Sequence, residues 1–298
     1  MDQYEKINLL DAGCFGTVFK VKKKGTEEFL AMKEILVSKS DAENGIQVTT
    51  LREIALLRML SDGPNIVRLK DTLKTINKRG ETIYCLFFEY MEMNLREYNE
   101  MHGGDLAVVK KLMFELCKGV AFLHGRAVMH RDLKPQNILI NPKSWELKIA
   151  DFGLSRQFNI PTEVYSLDVC TRPYRAPELL LNIEEYTIAA DMWSVGCIFA
   201  ELVQEGVLFE GSSVSDQLQE IYKLLGTPTE EEIPGISIHI ETPSDTITAQ
   251  DLSSTFPQLE ASGVDLLFQM LQYDHSKRIS AKAALEHPYF TDLGNIGK

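Results

Sequence analysis

Near residue 91 the chain changes its pattern. Before that point short apolar runs are broken by Gly13, Gly16 and Gly25, and two further strand-like runs, 66–75 and 82–90, are joined by an Asn77-Lys-Arg-Gly80 turn. A single helical stretch, 49–60, interrupts them. After that point apolar residues recur at helical spacing over 106–124, 191–203, 216–225 and 264–271. Strands collected ahead of helices predict an α+β chain. The expected organisation is a β-rich N-terminal lobe at about 1–88 with one key helix, a hinge at 89–94, a mainly helical C-terminal lobe over 95–290, and a tail at 291–298. The length of 298 residues fits this division, because it exceeds one unit of ~150 residues. No internal repeat or low-complexity tract is present, and the acidic stretch 228–244 reads as an irregular surface insertion.

Charge and cysteine usage narrow the surroundings. A net charge of −12 argues against generic binding to nucleic acid or an anionic membrane, so local basic groups need local partners such as phosphate. The charged start has no apolar core of a signal peptide, and no stretch approaches the ~20 apolar residues of a membrane span. Five cysteines, an odd number without a C-x-x-C pair, suit a reducing compartment. Cytoplasm, nucleus or both follow as the expected location.

The chemistry concentrates in residues 130–137, which read H-R-D-L-K-P-Q-N. A carboxylate (Asp132), an ammonium (Lys134) and a carboxamide (Asn137) share one tight, Pro-containing loop. Phosphoryl transfer to a hydroxyl needs this set: a group to orient the hydroxyl, a cation for the moving phosphoryl, and an oxygen for Mg²⁺. Asp151-Phe152-Gly153 follows fourteen residues after Asn137 and adds a further carboxylate that could bind a metal. Upstream, Lys33 lies late in the third predicted strand and Glu53 on the following helix. At 100° per residue Leu56, Leu57 and Leu60 fall within about 60° of Glu53, so its face points inward. An inward carboxylate needs a partner, and Lys33 is the natural one. Gly13 and Gly16 permit close approach of backbone to phosphate, although two glycines at this spacing are an ordinary turn unless placed, as here, ahead of Lys33.

These marks, with Ala176-Pro-Glu178, Asp191-x-Trp193 and Arg278, resemble the eukaryotic protein kinases over almost the whole chain. The resemblance implies the bilobal protein-kinase fold with ATP and Mg²⁺. Asp132 would orient the substrate hydroxyl and accept its proton, Lys134 would steady the γ-phosphoryl group, Lys33 paired with Glu53 would hold phosphate, and Asn137 and Asp151 would bind Mg²⁺. Adenine would lie between Leu10, Val18, Ala31 and Leu139, bond to the backbone at Glu89 and Met91, and meet Phe88 at the back of the pocket. Asn94 would stand by the ribose. Glu178 and Arg278 would form a buried structural pair, and Leu57, Leu69, His130 and Phe152 would stack between the lobes.

The runs Thr49-Thr-Leu-Arg-Glu-Ile54, Asp151-Phe-Gly-Leu-Ser-Arg156, Tyr174-Arg-Ala-Pro-Glu178 and Leu225-Gly-Thr-Pro228 resemble the cyclin-dependent kinases in particular. The 49–60 helix is apolar nearly all round, with Leu51, Ile54, Ala55 and Met59 on its outward half. Such a helix is covered on both sides, either by neighbouring strands or by a partner, and a docking cyclin is the functional reading. Ser166 takes the activating phosphorylation position, set by an upstream kinase, with Arg52, Arg131 and Arg156 as the matching phosphate-gripping arginines.

Several departures qualify the resemblance. Asp11 replaces the first glycine of the glycine-rich loop, which implies a modest loss of nucleotide affinity. Cys14 and Phe15 stand where inhibitory Thr-Tyr is usual, so that switch should be absent. Asn94 replaces an aspartate. Pro173 replaces a tryptophan beside the pocket for the residue after the phosphoacceptor, while Arg175 and Val169-Cys170 still favour Ser/Thr-Pro substrates. Two alternatives remain: a MAP-kinase relative, against which Asp168 stands where a Thr-x-Tyr switch would have Tyr, and a scaffold pseudokinase, against which stand Lys33, Asp132, Asn137 and Asp151.

Overall fold

The computed structural model describes the chain except residues 1–2, 14–15, 37–47, 78–79, 158–171, 183–186, 235, 237–245 and 294–298, and except the side chains of 13, 48–50, 52 and 156–157. The first part is an antiparallel sheet of β1 (Tyr4–Gly13), β2 (Gly16–Lys23), β3 (Phe29–Leu36), β4 (Leu69–Ile76) and β5 (Thr82–Glu89), with helix α1 (Val48–Met59) between β3 and β4. The strand order is β1-β2-β3-β5-β4. Period-2 alternation sorts its two faces. Val21, Leu30, Met32, Ile83, Cys85 and Phe87 form one small core, closed by Tyr4 stacked on Phe87 at 4.1 Å. Ala31, between Leu30 and Met32, packs instead against the large core of the helical part. Lys33 lies opposite Val18 on β2 and Leu86 on β5.

β4 starts at Leu69, three residues later than the 66–75 run predicts. The apolar pair Ile66-Val67 is bound elsewhere: Val67 N–H donates to Ile149 O at 2.9 Å and Ile149 N–H to Asn65 O at 2.7 Å. Hydrophobicity alone does not reveal which strand will take such a run.

Beyond the sheet come β6 (Met93–Asn94), α2 (Leu95–His102), α3 (Leu106–Gly125), β7 (Val128–Met129), β8 (Ile138–Asn141) and β9 (Glu146–Ile149). Trp145 turns the β8–β9 hairpin in a left-handed conformation, φ 57°. The two residues of β10 (Arg156–Gln157) pair with β7. Helices α4 (Pro177–Leu180), α5 (Ala189–Gln204), α6 (Val214–Leu225), α7 (Leu252–Thr255), α8 (Ala261–Met270) and α9 (Ala281–Leu285) follow among the described residues. α5 is buried on nearly every side, Trp193 included, as an all-round apolar helix must be. The acidic stretch is not purely superficial: Ile233 and Ile236 are buried, and 237–244 lie outside the described residues. Among the described residues no helix is long and apolar enough to cross a membrane. Cys85, Cys117 and Cys197 are free and buried, and burial pushes the first two thiols up to about 11 and about 12.

Candidate active site

Glu53 comes from the buried side of α1, beside Leu56 and Leu57, and its Oε1 accepts from Lys33 Nζ at 2.9 Å. The same ammonium reaches Asp151 Oδ1 at 3.0 Å. Burial alone would lower the Lys33 pKa, but Glu53 and Asp151 reverse this and hold it above the ordinary lysine value. Asp151 shows the mirror image: burial pushes its carboxyl up, and Lys33 brings it below the usual aspartate value. Both groups are therefore charged at neutral pH. Asp151 has φ 62°, a conformation that suits an aspartate better than a branched residue.

On the facing loop, Asp132 Oδ2 accepts from Lys134 Nζ at 2.8 Å and from Asn137 Nδ2 at 3.0 Å. Asn137 Nδ2 also donates to Asp132 O at 2.8 Å, which turns the amide oxygen away from Asp132. Asn137 and Asp151 thus offer hard oxygen donors of the kind Mg²⁺ prefers, and few enough that water and phosphate would complete its octahedron. This donor set fits that ion.

The loop is fixed from beneath by a residue to which the sequence reading gave no role. Asp191, buried at the start of α5, accepts from His130 N (2.9 Å) and His124 Nε2 (3.0 Å) on one oxygen, and from Arg131 N (2.9 Å) on the other. Burial pushes this carboxyl up, yet the His124 contact and the Arg131 amide bring it below the ordinary value. The anchorage holds Arg131 at φ 72°. His130 is oriented as well: the Asp132 amide donates to its Nδ1 at 3.3 Å, so its Nε2 carries the hydrogen given to Ala150 O at 2.9 Å. Its ring meets Phe152 edge-on at 5.1 Å, and Leu57 is buried in the core that contains Phe152.

Around the nucleotide position, Ala31 pairs with Phe88 and Asn94 with Leu139 across their strands. Ala31, Phe88 and Leu139 belong to the core shared by the sheet and the helical part, whereas Leu10 is 42% exposed. Glu89 donates its N–H to Arg68 O at 3.1 Å and pairs with Leu30 across β3 and β5. A Cβ on Gly16, φ 128°, would lie 2.4 Å from Glu34 O, so glycine is required there by space as well as by dihedral. The exposed Asp11 accepts from the Ala12 amide at 2.8 Å.

Asn94 does something the ribose reading leaves out. Its Oδ1 accepts from Glu97 N at 3.0 Å while Glu97 Oε2 accepts from Asn94 N at 2.9 Å, a reciprocal cap on α2. With its oxygen held there, the amide NH₂ is the group this residue has for a ligand. The signal, Asn-x-x-Glu before a helix, was present in the sequence. Of the regulatory set only Arg131 falls among the described side chains; Ser166, Val169, Cys170 and the side chains of Arg52 and Arg156 lie outside them, as do Cys14 and Phe15.

Glu178 and Arg278 meet as expected, Nη1 to Oε1 at 2.7 Å and Nη2 to Oε2 at 3.1 Å. Nearby Tyr174 OH donates to Glu201 at 2.6 Å and Ser194 Oγ to Tyr174 O at 2.7 Å, tying the stretch before Glu178 to α5.

Fold and site together define a phosphotransfer enzyme of the protein kinase class, and the comparisons agree: the protein kinase domain family matches residues 4–290. The chain is 46% identical over 302 residues to cyclin-dependent kinase B2-1 of Arabidopsis thaliana, covering 98% of this chain and 95% of the relative. It is 47% identical over 305 residues to cell division control protein 2 homolog D of Antirrhinum majus, covering 100% and 96%. A third relative, cyclin-dependent kinase B2-1 of Oryza sativa subsp. japonica, is 47% identical over 302 residues, covering 98% and 91%. The chain belongs to the protein kinase family and, within it, to the cyclin-dependent kinases. It is an ATP-dependent serine/threonine protein kinase.

Proposed function

We propose that the γ-phosphoryl group of ATP is transferred here to protein serine and threonine hydroxyls between two clusters: Lys33–Glu53–Asp151 on one side and Asp132–Lys134–Asn137 on the other. The observation that carries this reading is the unbroken set of contacts of 2.8–3.0 Å within each cluster. Asp132 orients the attacking hydroxyl and takes its proton as the new P–O bond forms. Lys134, already on the Asp132 carboxylate, offsets charge at the transferring group. Lys33, oriented by Glu53, holds phosphate oxygens. Asn137 and Asp151 would hold Mg²⁺, which when bound neutralises charge on the phosphates. Leu10, Val18, Ala31 and Leu139 would enclose the base, with Glu89 and Met91 bonding it through the backbone and Phe88 behind it. Gly13 and Gly16 let backbone close over the phosphates, and Asn94 serves the ribose through its NH₂. Replacing Asp132 by Asn should lower kcat by at least ~10³-fold, with nucleotide affinity retained in a fluorescence titration. Undiminished turnover would remove Asp132 from the mechanism.

A cyclin on the outer face of α1 is supported by Leu51 and Met59, 49% and 43% exposed on the helix that presents Glu53. Arg131, held by its backbone beside the catalytic aspartate, is the described member of the set proposed to grip phosphate on Ser166, together with Arg52 and Arg156. A partner-bound Ser166→Ala kinase that is as active as the parent would end the Ser166 assignment. Preference for proline after the phosphoacceptor rests on Arg175 and Val169-Cys170, and a peptide library without that preference would exclude it.

A further inference from the structure

The helical part has a concave surface built from elements that supply nothing to the site above. α8 buries Gly263, Leu266, Leu267 and Met270 and turns Ala261, Asp265 and Phe268 outward, with the half-buried Val264 completing a stripe at i, i+3, i+4 and i+7. Across from this stripe lie the end of α6 at Leu225 and residues 249–252, and the space between is a groove of about 410 Å³. Phe268 is 52% exposed on its wall. A phenylalanine at that position leaves aromatic surface in water beside Val264 and Leu225, whereas a small polar residue would leave none.

The rim is acidic. Asp251 accepts from the hydroxyls of Ser253 at 2.6 Å and Ser254 at 2.9 Å, and Asp265 from Gln269 Nε2 at 3.0 Å and His287 Nε2 at 2.9 Å. A second depression of about 680 Å³ runs along α6 past Glu210, Asp216 and Glu220 to Lys223, whose own charge is taken by Glu220 at 2.6 Å. Lys223 lines this depression and Leu224 the groove, so the two concavities lie on neighbouring flanks of the same helix. At the opposite end of α6, Ser212 O accepts from Arg172, immediately before Pro173 and Tyr174. α6 therefore runs ~18 Å from the segment that adjoins the phosphoacceptor pocket to the apolar groove, flanked by carboxylates.

We propose that this surface is a docking site for protein substrates, occupied by a stretch in which bulky apolar side chains alternate with lysine or arginine, on the same chain as the phosphoacceptor. The charge complementarity selects the occupant: a second copy of this chain, itself at −12, would be repelled by the rim, whereas a basic-apolar stretch satisfies rim and floor together. The inference rests on the kinase reading above and adds where a substrate is held besides its phosphoacceptor. An extended chain at ~3.3 Å per residue needs at least about six residues to cover the helix.

The test uses the full chain with its activating partner and two peptides. One is a short Ser-Pro substrate. The other is the same substrate joined to a Lys-Leu-Lys-Phe tail through linkers of about six to fourteen residues. The tail should lower KM by ~5–10-fold at the best linker length and leave kcat unchanged. Phe268→Ser should abolish that gain without altering turnover of the short peptide. The double change Asp251→Asn and Asp265→Asn keeps a capping residue and one acceptor oxygen at each position and should remove about half of the gain. Fluorescence anisotropy of the labelled tail alone reads the groove independently of catalysis. No binding of the tail, equal binding of a Glu-Leu-Glu-Phe tail, or a gain that survives Phe268→Ser would each overturn the proposal. Failure of every variant to phosphorylate the short peptide would strike the kinase reading instead, and the anisotropy would still decide the groove.

Discussion

Two carboxylate–cation pairs, Lys33–Glu53 in the sheet lobe and Glu178–Arg278 in the helical lobe, are about equally buried and equally short, at 2.9 and 2.7 Å. They are held in different ways. Arg278 presents a planar fork to both oxygens of Glu178 and also donates to Ala189 O at 2.9 Å and Gln272 O at 3.0 Å, with its guanidinium 5.2 Å from the Trp193 ring. Lys33 is a point charge on a flexible stem, shared between Glu53 and Asp151, and Glu53 rides on a helix whose outer half, Leu51, Ala55 and Met59, is exposed. The fork fixes one geometry and the ammonium allows an exchange of partners. Chemically alike pairs thus serve as a strut in one lobe and as an adjustable contact in the other.

That contrast is open to direct attack. The largest effect belongs to the strut: Arg278→Leu leaves Glu178 buried without its cation and should cost about 3–5 kcal/mol of stability, seen as a melting temperature lower by roughly 10 °C. The protein that stays folded should keep its turnover per molecule; a loss of turnover without a loss of stability would reverse the assignment. Next, Glu53→Gln should lower transfer by ~10²-fold, because Lys33 loses its orienting charge, while calorimetry shows a shift of no more than about 2 °C. Equal stability losses in the two variants would erase the distinction. A smaller effect, at least about tenfold in the dissociation constant of an activating cyclin, is expected for Leu51→Glu, which sets a charge on an apolar contact face; unchanged affinity in a titration would move the partner off α1. The smallest is at Asn94, where Ala removes the reciprocal cap and should cost ~1 kcal/mol in a urea melt, with only a minor change in KM for ATP.

How much of this could be read from the residues depended on whether the chemistry is linear or assembled. Asp132, Lys134 and Asn137 are close along the chain, so their spacing announces their task. Lys33 and Glu53 are separated, yet helical periodicity turned Glu53 inward and named its need for a cation. Nothing comparable links Asp191 to the amides of His130 and Arg131, 61 and 60 positions away, because a backbone N–H has no side-chain signature. The start of β4 departs from the apolar run for a related reason: Ile66 and Val67 are apolar, but they pair with residues around Ile149 rather than with β5. At Asn94 the resemblance points only to the ribose, whereas the reciprocal cap is a local motif legible in Asn-x-x-Glu.

The bonds that Asp191 makes to the catalytic loop have a consequence for how the enzyme loses activity. The Arg131 amide is bonded to a carboxylate on α5, a helix buried on nearly every side, and that bond supports its left-handed backbone. Opening of the loop is thereby coupled to separation of α5 from the core. Amide hydrogen exchange at Arg131 should be as slow as in the middle of α5. Heat or denaturant would then disarm molecules one at a time and completely, leaving a population of intact enzymes and unfolded chains rather than a uniformly weakened catalyst.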